Sequence, residues 1–334
     1  MYHLRVVAPA GLSEGVVGLL EQSPSACNVI VLEGAARKPE GDVVMADVAR
    51  EDASVLLSDL RELGLEERGS IALESIETSI SKGAERAVKA AKGSPSDAVI
   101  WEQVQFRTSE EAELSGSYLT FMVLAALLAS VGLYLDSAIL IVGAMVVGPE
   151  FGPIAGFCVA LVQHQRGLAV RSLVALAVGF PAAILVTYLV ALLFRTSSLP
   201  PSDFSFDVGF AHAIASPDFF AFFVAFCAGV AGMLSLTTAK SGALIGVLIS
   251  VTTIPSAAAI GVAAAYRDGD ALAGSAAQLG VNLAMILVAG TATLVLQRAL
   301  YARRRREHLS DSSRRAAGLP IGRAREDRPE RKPV

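Results

Sequence analysis

Six apolar stretches dominate the chain between residues 118 and 296: Tyr118–Leu135, Ser137–Val162, Leu168–Phe194, Phe219–Leu236, Ser241–Ala265 and Leu272–Leu296. About 20 apolar residues are needed for a helix to cross a bilayer, and each stretch approaches or exceeds that. The pattern predicts six transmembrane helices. Charge follows the same division. Residues 1–115 hold 11 Lys/Arg against 20 Asp/Glu, residues 116–297 hold 5 against 7, and residues 298–334 hold 12 against 5. An acidic head, an almost uncharged middle and a basic tail exclude a single soluble domain, a disordered chain and a secreted disulfide scaffold. Met1–Ala10 contains no long apolar run of the kind a signal peptide needs, so the N-terminus is expected in the cytoplasm. Cys27, Cys158 and Cys227 share no metal-ligand spacing, and those in apolar segments read as small hydrophobes.

The head, residues 1–75, alternates strand and helix patterns. His3–Val7, Asn28–Leu32, Asp42–Val48 and Ser70–Leu73 read as strands, and helices are expected from Ser13 to about Glu21 and over Glu51–Leu63. The order βαββαβ is the split-βαβ, ferredoxin-like arrangement. Gly11-Leu12-Ser13-Glu14-Gly15 matches the G-x-S-x-G pattern of a hydrolase nucleophile. A triad also needs a histidine, and His164, His212 and His308 lie in or beyond the membrane region, so Ser13 is read as a helix N-cap. No catalytic residue, metal set or cofactor motif is assigned, and the chain is not expected to be an enzyme. Residues 76–115 read as a polar connector with two helical stretches. There Trp101, the one tryptophan, stands either at the membrane–water boundary or against the head. Residues 298–334 read as a basic, disordered tail.

The membrane region falls into halves, 116–194 and 217–297. Ser137–Gly143 can be laid over Ser241–Val247, and Leu176–Val186 over Leu279–Val288; Pro149 and Pro153 interrupt the second stretch where Pro255 interrupts the fifth. A unit of three spans crosses the membrane an odd number of times, so two such units in tandem are inverted relative to each other, as in secondary transporters whose sites lie at broken helices. With the head inside, Arg166, Arg171, Lys240 and the Arg298–Arg306 cluster face the cytoplasm, which agrees with the excess of Lys and Arg found there. Asp136, Asp203, Asp207, Asp218, Asp268 and Asp270 then face outward with Arg195 and Arg267. Both termini are expected inside.

Gly148-Pro149-Glu150-Phe151-Gly152-Pro153 places a carboxylate about 20 Å along its span from Ser137. An ionisable group at that depth is a functional candidate as proton carrier, cation ligand or gate, or caps a half-helix. Freed backbone groups there need a neighbouring helix, a water-lined cavity or a solute. Ser250, Thr252, Thr253, Pro255 and Ser256 form the matching interruption, their hydroxyls able to bind a solute or to back-bond within the helix. Asn282 either reaches the solute or ties helices together. The candidate binding set is therefore Pro149, Glu150, Gly152, Pro153, Ser250, Thr252, Thr253, Pro255, Ser256 and Asn282. Gly148, Gly152 and Gly156 read as a close-packing stripe, as do Gly242 and Gly246. The arginine-rich tail is expected to meet anionic lipid rather than nucleic acid.

In Leu135-Asp136-Ser137, Val142–Met145, Gly152-Pro153-Ile154, Ala228–Leu236, Gly246–Ile249, Ile254-Pro255 and Asn282 the chain resembles the membrane family called domain of unknown function 389, or the uncharacterised hydrophobic domain. The resemblance implies a prokaryotic inner-membrane protein with six spans and a small βαββαβ head, and implies no activity. Members commonly read Ser/Ala-Pro-Leu-Met-Gly-Pro where this chain has Gly148–Pro153, so Glu150 departs from the pattern; many carry two prolines where this chain has Pro255-Ser256. The reading that results is a transporter of a small polar or ionic solute, regulated by the head and forming a homo-oligomer. The alternatives are a non-transporting sensor or scaffold and an ion channel.

Overall fold

The computed structural model describes residues 1–91, 99–197, 200–201, 204–238, 246–247, 249 and 252–322. Its contacts divide the chain into two units, one of residues 1–102 with 299–334 and one of residues 103–298.

In the first unit the order is β1 (Tyr2–Ala8), α1 (Ala10–Glu21), β2 (Ala26–Arg37), β3 (Glu40–Val48), α2 (Arg50–Glu62), a single turn α3 (Leu65–Arg68), β4 (Ser70–Ser75) and α4 (Lys82–Ala90). The four strands form one antiparallel sheet in the order β2-β3-β1-β4, the expected split-βαβ connectivity. Alternation explains the burial: Tyr2, Leu4, Val6 and Ala8 of β1 point inward, as successive strand residues take opposite faces. They meet Val16, Leu19 and Leu20 of α1 and Leu56 and Leu60 of α2. Helix α1 begins at Ala10 behind Pro9. Ser13 therefore lies inside the helix, not at its cap.

The basic tail differs from its expectation. Residues 299–308 continue a helix, Ser312–Ala316 form a further short one, and Ala317 and Leu319 enter the head's core. Charge compensation is the reason. Asp59 of α2 is fully buried and receives Nη1 of Arg305 at 2.6 Å, Nε2 of His308 at 2.7 Å and the guanidinium of Arg314. Glu62 takes the remaining arms of Arg305 and Arg314, and Arg304 reaches Asp52 at 2.7 Å. The arginines that make the segment look disordered in isolation find carboxylates on the acidic head, and the expected disorder gives way to helix over residues 299–308 and 312–316. Trp101 is buried and belongs to this same unit, and its neighbour Ile100 packs in the head's core.

The second unit is helical: α5 (Trp101–Glu111, its first two residues in the other unit), α6 (Gly116–Tyr134), α7 (Ala138–Val147), α8 (Phe151–Gln163), α9 (Arg166–Arg195), α10 (Gly209–Ala215), α11 (Phe219–Thr237), α12 (Thr253–Tyr266) and α13 (Gly269–His308, leaving this unit after Arg298); the short helix Ser312–Ala316 of the first unit is α14. Helices α6, α9, α11 and α13 are each long and apolar enough to cross a membrane. The pair α7–α8 passes the same test together, bent by 49° at its break. These are the first, third, fourth, sixth and second of the six stretches. Of the fifth, only α12 with residues 246–247, 249 and 252 lies within the described residues; Lys240, Gly242 and Ser250 lie outside them.

Local chemistry sets the boundaries. The Ser115 side chain accepts from the Tyr118 amide at 3.1 Å and Asp218 accepts from Ala221 at 2.8 Å, each satisfying a donor that a helix start leaves free. Left-handed residues His164 and Arg267 end α8 and α12. Helix α12 is rich in alanine, with 11 of its 14 residues buried, as a helix at the centre of a bundle is. It runs against α9 so closely that a Cβ on Gly261 would meet the Ile184 carbonyl at 2.9 Å. Its last carbonyls are covered from α9, where Arg195 donates to Ala265 O at 2.6 Å while lying over the Tyr266 ring. Conversely, α9 exposes Val170, Leu173, Val174, Leu185, Leu189 and Leu193, an apolar stripe suited to lipid.

Candidate functional site

The two proline interruptions are built alike. Helix α8 starts after Glu150, runs Phe151-Gly152 and has Pro153 third; α12 starts after Thr252, runs Thr253-Ile254 and has Pro255 third. The first turn of a helix leaves its amides without intrahelical partners, so a proline there loses nothing and its fixed φ suits the helix. Pro153 and Pro255 therefore begin helices rather than disrupt them. The first intrahelical bonds match as well: Ile154 N donates to Glu150 O at 3.2 Å and Ser256 N to Thr252 O at 3.1 Å. Pro149 lies in the break between α7 and α8.

The two starts meet. Thr253 Oγ1 donates to Glu150 Oε1 at 2.7 Å, with Glu150 only 4% and Thr253 1% exposed. Glu150 Oε2 is buried and has no hydrogen-bond partner among the described residues. The backbone fits tightly round it, for a Cβ on Gly148 would press on that oxygen and lie 2.7 Å from Ile254. Each helix N-terminus carries a partial positive charge, and two of them converge on one carboxylate. A small cavity of about 10 Å³ lies beside Glu150, Phe151, Thr253 and Ile286, space for about one water.

A step further along, Thr252 Oγ1 accepts from Asn282 Nδ2 at 3.0 Å and from Gln278 Nε2 at 3.4 Å, and Gln278 Nε2 also reaches Asn282 Oδ1 at 3.3 Å. Asn282 thus ties α13 to the start of α12. Gln278 is absent from the candidate set read off the sequence; the signal for it is an amide one turn before Asn282 in an apolar span, which puts both on one face. These three residues line a cavity of about 310 Å³ whose other walls, including Ile141, Met145, Ile214 and Val224, are apolar.

The structure thus joins Glu150 to Thr253 and Thr252 to Asn282 through side chains. Ser256 instead donates to the Thr252 carbonyl at 2.6 Å, a bond within its own helix. Gly152 and Gly156 serve packing: a Cβ on Gly152 would lie 2.7 Å from the Glu111 side chain and one on Gly156 2.8 Å from Ser172 Oγ. Ser250 lies outside the described residues. No group of three or more His, Cys, Asp or Glu suited to a metal ion occurs among the described residues.

Residues 145–288 match the family model described as Domain of unknown function (DUF389), so the resemblance read from the motifs holds over the segment that contains both interruptions. An uncharacterised protein of Methanocaldococcus jannaschii is 26% identical over 151 residues, which is 45% of this chain and 45% of that protein. The chain thus spans less than half the length of that relative. No solved structure matches.

Proposed function

We propose that this chain is a non-enzymatic secondary transporter of a small polar or ionic solute, with its site where the starts of α8 and α12 converge. The observation that carries the reading is the buried Glu150–Thr253 hydrogen bond. It joins two half-helices that share one pattern of cap, two residues and proline. A pseudo-twofold axis in the membrane plane brings equivalent helix ends face to face in this way, and midplane sites at broken helices are the mark of inverted-repeat transporters. In this reading α6 to α9 form one three-span unit, and α11 to α13 with the segment before α12 form the second, giving six spans. Glu150 carries or gates charge as one unit rocks against the other.

The protein sits in a prokaryotic inner membrane with both termini cytoplasmic, as a homo-oligomer. The head regulates: the tail clasped to α2 is the feature that supports this. Arg303, whose side chain is 82% exposed and pairs at 3.6 Å with the exposed Glu307, is the arginine placed to meet anionic lipid at the surface, whereas Arg305 and Arg314 are held by buried carboxylates. The test is reconstitution in liposomes with a screen of solute gradients, Glu150→Gln serving as control. Gradient-driven uptake lost in Glu150→Gln is the expected result, and absence of uptake under every gradient overturns the reading. In a cysteine-free background, a membrane-impermeant thiol reagent should label Cys at position 207 from outside and at position 307 from inside only. The opposite labelling reverses the orientation.

A further inference from the structure

The larger cavity tells more about the solute than Glu150 does. Its polar floor is Thr252, Gln278 and Asn282, and among the described residues no Asp, Glu, Lys, Arg or His lines it. Glu150 lines the separate small cavity instead. Bond by bond, the floor is unfinished. Thr252 Oγ1 already accepts from both amides, so its own hydrogen remains to donate. Asn282 Oδ1 is taken by Gln278. Gln278, 3% exposed, has Oε1 buried with no partner among the described residues. An unpaired amide oxygen in an apolar region is costly, and apart from Thr252 and Asn282 the described residues that line the cavity with Gln278 are apolar. What the set still lacks is a donor for Gln278 Oε1 beside an acceptor for the Thr252 hydroxyl and for the second hydrogen of Asn282 Nδ2.

We propose that Thr252, Gln278 and Asn282 form a head-group subsite for an uncharged solute whose head both donates and accepts hydrogen bonds, as a primary amide does, and whose apolar body fills the cavity between α7, α10 and α11. This rests on the transport reading and narrows it from polar or ionic solutes to neutral ones. An ammonium or carboxylate here would be buried without a counter-charge among the described lining residues, which a membrane interior penalises heavily. A primary amide supplies both missing groups from adjacent atoms, and the apolar walls of Ile141, Met145, Ile214 and Val224 favour an alkyl chain over water.

The test uses the full chain in nanodiscs and four probes of one chain length: hexanamide, hexan-1-ol, hexanoate and hexylammonium, with binding followed by saturation-transfer NMR against empty discs. Hexanamide should bind saturably and about tenfold or more tighter than either ion, with hexan-1-ol between. Gln278→Leu should weaken hexanamide about tenfold, the size of one buried hydrogen bond, and leave hexan-1-ol less affected. Ala221→Trp fills the cavity from α11 without touching the floor, and should abolish hexanamide binding even if Gln278→Leu does not fold. Tightest binding of either ion overturns the proposal, as does hexanamide binding that is equal in empty discs and in Ala221→Trp. The transport reading fails separately: saturable hexanamide binding by a protein that moves no solute leaves this subsite standing, while uptake of a charged solute without hexanamide binding removes the subsite and keeps the transporter.

Discussion

Thr253 gives its hydroxyl hydrogen to Glu150 across 2.7 Å, linking residues 103 positions apart at the starts of two helices. Glu150 is almost wholly enclosed and its second oxygen meets no donor among the described residues. Removing the hydroxyl by Thr253→Val leaves both carboxylate oxygens unpaired, which costs about 1–3 kcal/mol. Glu150→Gln keeps the shape and an acceptor oxygen for Thr253, and relieves the buried carboxylate. Thermal unfolding in detergent should therefore rank Thr253→Val below wild type and Glu150→Gln at or above it. A Glu150→Gln protein less stable than Thr253→Val would mean that the carboxylate's second oxygen is tied to something else.

Gly148 and Gly143 sit little more than one helical turn apart in sequence and make opposite predictions. A Cβ at Gly148 collides with Ile254 and the Glu150 carboxylate, whereas one at Gly143 meets nothing within 4 Å. Gly148→Ala should cost about 1–3 kcal/mol through overpacking and should separate the two helix starts. Gly143→Ala, in the interior of α7, should be neutral or stabilising by up to about 1 kcal/mol, because alanine is the better helix former. Paired melting curves of the two variants check both signs.

Much of this arrangement is legible in the sequence because it depends on local pattern. Apolar length marks out α6, α9, α11 and α13, and Gly148 to Pro153 mark the break before α8. Strand patterns in residues 3–7 and 42–48 foretell the sheet. What escapes is anything set by a distant partner. Ser13 reads as a cap because the helix start at Pro9-Ala10 carries no stronger signal. Arg305 and Arg314 read as tail until Asp59 and Glu62 stand beside them. Gln278 reads as one amide in a hydrophobic run, and its importance comes only from Thr252, 26 residues away. The meeting of Glu150 with Thr253 is readable as an expectation from the repeat, but its hydrogen bond is not.

Asp136 holds the corner between α6 and α7 in a left-handed conformation (φ 45°) and accepts from the Phe210 amide at 2.8 Å, capping the second residue of α10. Phe210 and Ile214 of that helix line the larger cavity. Asp136→Ala loses the cap and puts Cβ strain on a left-handed residue, costing about 1–2 kcal/mol together. Asp136→Gly loses the cap alone and should be milder. Hydrogen exchange at residues 209–215 should rise in both, most in Asp136→Ala. Unchanged exchange would show that α10 is held by its apolar contacts alone.

The clasp between tail and head should respond to acid. Burial raises the affinity of Asp59 for a proton, but the hydrogen bond from His308 and the charges of Arg305 and His308 outweigh it and hold the carboxyl below its ordinary value. A group whose folded pKa is depressed contributes stability above its unfolded pKa, about 3.9 for Asp, and loses that contribution as pH falls through the folded value. The tail should therefore stay docked from neutral pH down to about 4, and loosen below it. Asp59→Asn removes the charge at every pH and takes one of two carboxylates from Arg305 and Arg314, which keep Glu62 and the carbonyls of Val55 and Pro320, a loss of about 3–5 kcal/mol for a broken buried pair. Cleavage of the Arg303–Arg315 segment by an acid-active protease should be slow at pH 5 and accelerate below pH 4 in the wild type. In Asp59→Asn, trypsin should cut the same segment rapidly at pH 7, where the wild type resists. Equal trypsin resistance in the two proteins would show that Ala317 and Leu319 hold the tail without the ion network.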